Sequence, residues 1–246
     1  MDLRLISLLL ACALLPADTL SDLKGTLSRL NGQDPVKASV DYQFWSRQGS
    51  DKKPVITEGR AQSHVEDGPQ GLKIAWSRPL IQAAAQEARA KAQDPEKKTP
   101  TREAIEGLGA VELSDALNGA DRLLRTLDQA QLVEEKADQW QGHPARLLRL
   151  KVTPRLSQED QKYVKELEAS AQVWVGADGL PLAAESQTHM KGRALLVINF
   201  EQRQKEAFRF ARMGNRLVVV HHETESSGSG GGQQGQSKRV TDLSLN

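Results

Sequence analysis

The chain has 246 residues, with 33 Lys and Arg against 32 Asp and Glu, and a formal net charge of +1. That balance gives no sign of a nucleic-acid surface or a polybasic membrane patch, so neither kind of partner is expected. A hydrophobic content of 38% with only 4% aromatics predicts a core of mostly Leu, Val and Ala with long polar segments around it, and the length allows one large β-rich domain or two small ones.

Residues 1–17 read as an export signal. Arg4 supplies a basic start, weakened by Asp2, and residues 5–15 form an apolar run. The run falls short of the ~20 residues a membrane-spanning helix needs, so no transmembrane span is expected. Leu15-Pro16-Ala17 stands where signal-peptidase cleavage would be expected, near Ala17. The only cysteine, Cys12, lies inside this segment, and Leu9-Leu10-Ala11-Cys12 resembles a lipoprotein box in which Cys12 would be acylated. Cleavage after Ala17 leaves no cysteine, so the exported domain, residues 18–246, has to be held by packing alone.

Residues 18–31 predict a short helix, with Leu20, Leu23, Leu27 and Leu30 at helical spacing before Asn31-Gly32. Residues 36–46 alternate as a strand, with Ala38, Val40, Tyr42 and Phe44 on one face. A second strand is predicted over residues 55–66 and a third at Leu72, Ile74 and Trp76. The period then changes. Ser77 and Pro79 open an Ala-rich helix over residues 80–93, weakly anchored because its large apolar residues are confined to Leu80 and Ile81. Residues 114–128 predict a second helix, with Ser114 as N-cap and an apolar stripe of Leu113, Leu117, Ala120, Leu124 and Leu127. Residues 79–128 thus form a helical insert between strands.

Strands resume over residues 131–140 and 145–152, flanking a Gln141-Gly142-His143-Pro144 turn, with Leu148, Leu150 and Val152 on one face. A short helix is expected near residues 158–166. Residues 171–220 read as an antiparallel meander, broken at Ala177-Asp178-Gly179, at Lys191-Gly192 and at Gly214-Asn215; Ala194, Leu196, Ile198 and Phe200 alternate within it. The Gly/Ser/Gln segment 226–236 predicts a flexible loop, and residues 238–245 an edge strand that closes the sheet.

Catalytic patterns are missing from this sequence. The Gly-rich segment is followed by neither Gly-Lys-Ser/Thr nor a helix, and Ser229 lacks the nucleophile-elbow pattern because position 227 is serine. His221-His222 and Glu134-Glu135 are neighbours on strands, so their side chains diverge and favour neither a metal site nor a paired-carboxylate site. No enzyme activity, metal or cofactor is expected. Of the tryptophans Trp45, Trp76, Trp140 and Trp174, packing is the simplest role, with Trp45 and Trp76 the two candidates to face a ligand.

Several pieces together resemble the periplasmic lipoprotein-carrier superfamily, the LolA/LolB-like lipoprotein-sorting proteins. They are the signal segment and first helix, the KASVDYQFWSR strand, and Leu72-Lys73-Ile74-Ala75-Trp76. Gly142-His143-Pro144-Ala145-Arg146-Leu147-Leu148-Arg149-Leu150 with Pro154, and Val173-Trp174-Val175 before Asp178-Gly179-Leu180-Pro181, complete the resemblance. It implies an α+β fold: a curved antiparallel sheet, an open half-barrel, covered on its concave face by helices. The chain departs from that pattern at the insert 79–128, and no arginine matches the one that closes the carrier lid. The implied function is binding of an acyl chain, lipid or acylated protein by an exported, periplasmic, monomeric protein. The apolar cavity would be lined by Val40, Tyr42, Phe44, Leu72, Ile74, Trp76, Leu148 and Leu150, with Leu117, Leu124 and Leu127 as the lid. The alternative is an envelope interaction or sensor module of the same fold with a filled core and a protein partner.

Overall fold

A computed structural model describes residues 19–50, 52–194 and 198–246. The expected signal segment 1–17, Cys12 and the alternation across 195–197 lie outside the described residues. Helix α1 (Thr19–Arg29) is followed by strands β1 (Val36–Ser50), β2 (Lys53–Asp67) and β3 (Lys73–Trp76). Helices α2 (Arg78–Gln93), α3 (Pro100–Gly107), α4 (Ala110–Leu117) and α5 (Gly119–Leu127) come next. The chain then returns to β4 (Ala130–Trp140), β5 (His143–Val152), β6 (Val164–Gly176), β7 (Pro181–Ala194), β8 (Ile198–Met213), β9 (Arg216–Gly230) and β10 (Gln233–Leu245).

All ten strands belong to one antiparallel sheet in the order β3-β2-β1-β10-β9-β8-β7-β6-β5-β4. Its ends do not meet, so it is a curved open sheet rather than a closed barrel, with helices on one face. Hairpins make each neighbouring pair except β1 with β10, where the end of the chain pairs with its first strand from Ala38↔Leu245 to Gly49↔Gln234.

That pairing corrects two expectations. Residues 238–245 are not an edge strand: β10 lies between β1 and β9, and the edges are β3 and β4. Nor is 226–236 a flexible loop. Ser226, Gly228 and Gly230 face Gln204, Gln202 and Phe200 of β8, while Ser226 and Gly228 also face Ser237 and Gly235 of β10. Ladder hydrogen bonds come from backbone groups, so two long neighbours can hold a strand whose side chains contribute little packing. Only Gly231 and Gly232 turn the chain, at φ 59° and 77°, a left-handed conformation that glycine adopts without strain.

Three further boundaries move. β7 runs through Lys191-Gly192, because a side chain at 192 would meet the Phe200 ring and the Tyr163 carbonyl at 2.3 Å, and glycine lets those strands close. Residues 158–166 hold only a 3-10 turn at Asp160–Lys162 before β6 begins. The helix expected over 114–128 is two helices, broken at Asn118. Asn118 Nδ2 donates to the Ser114 carbonyl at 2.8 Å, and a Cβ on Gly119 would lie 3.1 Å from the Leu217 carbonyl of β9. Close seating on β9 therefore overrides the continuous helical pattern.

The covered face carries the core. Leu23 and Leu27 of α1, Leu113 and Leu117 of α4 and Leu127 of α5 are 0–3% exposed against Val40, Leu148, Val173 and Val218 of the sheet. Each such side chain contributes about 1.5–3 kcal/mol by leaving water. A small cluster on the opposite face packs Trp140 on Trp174 at 4.7 Å with Leu147 and Ala183, and Trp174 Nε1 donates to Asp138 at 3.2 Å. Helix α2 buries none of its residues, and the Ser77 hydroxyl accepts from Leu80 N at its start.

Candidate functional site: a cavity between the helices and β1, β10 and β9

Alternation along three neighbouring strands builds the floor of the cavity. Tyr42 and Phe44 point under the helices, opposite Thr241 and Arg239 of β10, and these stand opposite His222 and Thr224 of β9. The roof is α3 and α4. Helix α3 is fixed at its start by Glu87 of α2, whose carboxylate accepts from the Thr101 and Arg102 amides at 3.1 and 3.0 Å; an anion there suits the helix dipole. At its end Gly107 rests on the Tyr42 ring, where an added Cβ would lie 2.4 Å from the phenol oxygen.

The space, partly open to solvent, is about 490 Å³, within the range of small-molecule sites. Tyr42, Phe44, Leu108, Ala116, Val219 and Leu243 give it apolar walls, while Glu103, Glu106, Glu112, Arg122, His222 and Arg239 line it with charge. Arg122 also borders a hollow of about 50 Å³ on its far side, among Leu123, Ala171, Val173, Phe208 and Phe210.

Most of these charges are tied down. Arg122 Nη2 donates to Glu206 at 3.1 Å and its guanidinium stacks 4.7 Å over the Phe208 ring. His222 Nε2 lies 3.3 Å from Glu206 and 3.0 Å from Thr224 Oγ1, with its ring stacked on Phe208 at 4.5 Å. Glu103 accepts from the Thr99 hydroxyl at 3.1 Å, and Glu106 from Arg102 at 2.7 Å.

Burial alone would raise the Glu206 carboxyl. The hydrogen bond to His222, the charges of Arg122 and His222, and the Ser186 hydroxyl outweigh it and hold the group below the ordinary glutamate value of 4.5. A lowered folded value means that the ionised group stabilises the fold above pH 4.5 and that this contribution is lost as pH falls through the folded value. Glu206→Gln is therefore expected to reduce stability at neutral pH and to flatten the acid limb below pH 4.5, read by thermal melts across pH. An unchanged acid limb would mean that Glu206 does not supply it.

The sequence-predicted lining divides in two. Tyr42 and Phe44 line the cavity. Val40, Leu117, Leu127, Leu148 and Leu150 are 0–2% exposed within the packed core. Leu124 is partly buried against that core, as are Leu72, Ile74 and Trp76 beside the β3 edge. Trp45 also borders the cavity.

The charged wall went unread in the sequence. Arg239 carries the same parity as Thr241, Leu243 and Leu245, so its inward position was legible; Glu103, Glu106 and Glu112 needed the placement of α3 and α4. His221 and His222 point to opposite faces, with His221 Nδ1 at 2.7 Å from Asp242. Among the described residues no group of His, Cys, Asp and Glu is placed to hold a metal ion.

An α+β protein with an open ten-stranded sheet and a mixed-polarity cavity under its helices is the class this geometry defines. No protein-family model matches the chain, and no curated protein does. Among solved structures it is similar to a domain assigned to outer membrane lipoprotein sorting from Vibrio parahaemolyticus, at 9% identity over 92% of both chains and a TM-score of 0.32. It is also similar to a DUF1329 family protein from Desulfovibrio piger, at 12% identity over 94% of this chain and 93% of that one, also with a TM-score of 0.32. The first bears the description to which the sequence resemblance pointed. Likenesses at this TM-score carry no argument about function.

Proposed function

We propose that this is an exported, non-enzymatic binding protein that takes the acyl chain of a lipid or acylated protein into the cavity beneath α3 and α4. The observation that carries the reading is the cavity itself, about 490 Å³ with walls that mix apolar and charged side chains. Each buried methylene contributes about 0.8 kcal/mol, so a short tail binds usefully without reacting groups. A separate, mostly apolar hollow of about 50 Å³ shares Arg122 with the cavity. Export is supported by the apolar segment 5–15 behind Arg4. No described helix is long and apolar enough to cross a membrane.

The test is native mass spectrometry of the chain purified without detergent, followed by solvent extraction. Wild type is expected to carry a stoichiometric lipid or to take one up. Ala116→Phe, which projects a ring into the cavity from α4, is expected to lose it while keeping its melting temperature within a few degrees. A bare mass that takes up neither fatty acid nor phospholipid would overturn the reading. It would favour an envelope interaction module instead, a reading supported by the fully packed Leu117, Leu127 and Leu148.

A further inference from the structure

Three polar groups of the cavity are left without a partner, and they lie together. The Tyr42 side chain is 4% exposed, and its hydroxyl, pressed against Gly107, meets no hydrogen-bonding group among the described residues. Tyr42 lines the cavity, so its unpartnered hydroxyl is available to a ligand there. Arg239 and Glu112 also line the cavity; both are solvent-exposed, and among the described residues neither makes a hydrogen bond or ion pair. A cation and an anion thus line the same cavity as that hydroxyl, and their charges act on the Tyr42 phenol with opposite sign. Every other charge on the wall is already engaged: Glu103 with Thr99, Glu106 with Arg102, and Arg122 and His222 with Glu206.

We infer that the cavity selects a zwitterionic amphiphile, with its ammonium group on Glu112, its anionic group on Arg239, a polar oxygen on the Tyr42 hydroxyl and its tail directed inward. This rests on the binding function proposed above and names its ligand class. A purely anionic head group would satisfy Arg239 but bring its charge against Glu112, with Glu103 and Glu106 nearby on the same wall. A purely cationic one would satisfy Glu112 and face Arg239. Only a head group carrying both charges pairs with both residues, and the Tyr42 hydroxyl sets how deep it sits.

The test uses titration calorimetry on the full chain with four octyl compounds below their micelle concentrations: octyl phosphoethanolamine, octyl phosphate, octylammonium and octyl glucoside. Two charge-assisted contacts against one predict at least about tenfold tighter binding of the zwitterion than of any other. In Arg239→Gln octylammonium is expected to bind as well as the zwitterion. In Glu112→Gln octyl phosphate is expected to do so. Tyr42→Phe should weaken the zwitterion in both charge backgrounds. Equal binding of all four compounds to wild type would overturn the selectivity and leave the cavity reading intact. Binding of none would overturn both. If tailless phosphoethanolamine binds as tightly as its octyl ester, the residues hold a soluble zwitterion and the assignment to an amphiphile is overturned.

Discussion

Replacing Arg216 by Met is expected to lower the unfolding free energy by about 3–5 kcal/mol, the range for removing one partner of a buried ion pair. Arg216 opens β9 and is 1% exposed. Its Nη2 donates to Asp67 at the end of β2 at 2.6 Å, and also lies 3.2 Å from the Leu117 carbonyl and 3.1 Å from Asn118 Oδ1 at the α4–α5 break. Its Nη1 donates to the Asp34 carbonyl at 3.0 Å. One guanidinium thus joins the sheet, the loop before β1 and the helix junction. Methionine fills much of the volume but leaves Asp67 charged and largely enclosed, with the Leu117 carbonyl short of a donor. Urea unfolding reads the loss, and Asp67→Asn in the same background should cost less than it does alone because the orphaned charge is gone. A change below about 1 kcal/mol in Arg216→Met would show that water replaces the guanidinium and that the junction does not depend on it.

Leu148→Ala is expected to cost about 2–5 kcal/mol and to leave lipid uptake by the folded protein unchanged. Leu148 is 0% exposed on β5, opposite Val173 of β6, in the same core as Leu117 and Leu127. A cavity left by its truncation sits away from Tyr42 and Phe44, so stability and binding should separate: urea unfolding falls, native mass spectra keep their ligand. A variant that stays as stable as wild type but loses its ligand would place the binding space along β5 and sink this assignment.

Much of the architecture was legible from residue patterns. Ala38, Val40, Tyr42 and Phe44 fixed both the strand and its inward face, and Leu148 with Leu150 did the same for β5. Asp178-Gly179 marked a turn that the structure contains, with Gly179 at φ 79°. The site was only half legible. Tyr42 and Phe44 were visible as inward aromatics, but pattern alone does not say whether an inward apolar side chain meets another side chain or a void. Leu117, Leu127 and Leu148 look no different in sequence from cavity-lining residues, and packing geometry separates them.

The sequence by itself determined most local elements: strands where apolar residues alternate, helices where they recur every three or four, and turns where Asp-Gly, Gln-Gly or Gly-Asn permits them. These follow from backbone sterics and side-chain periodicity, which act between near neighbours. Only the tertiary structure decided what depends on distant backbone. β10 enters the middle of the sheet because β1 and β9 offer it ladders on both sides, and the same pairing makes a strand of 226–230. The helical stripe breaks at Asn118 so that Gly119 can settle on β9 and Arg216 can reach the carbonyls left there. Arg239, Glu112 and Tyr42, far apart in the chain, line one cavity only because that insertion sets β10 against β1 while Gly107 lets α3 lie on the Tyr42 ring.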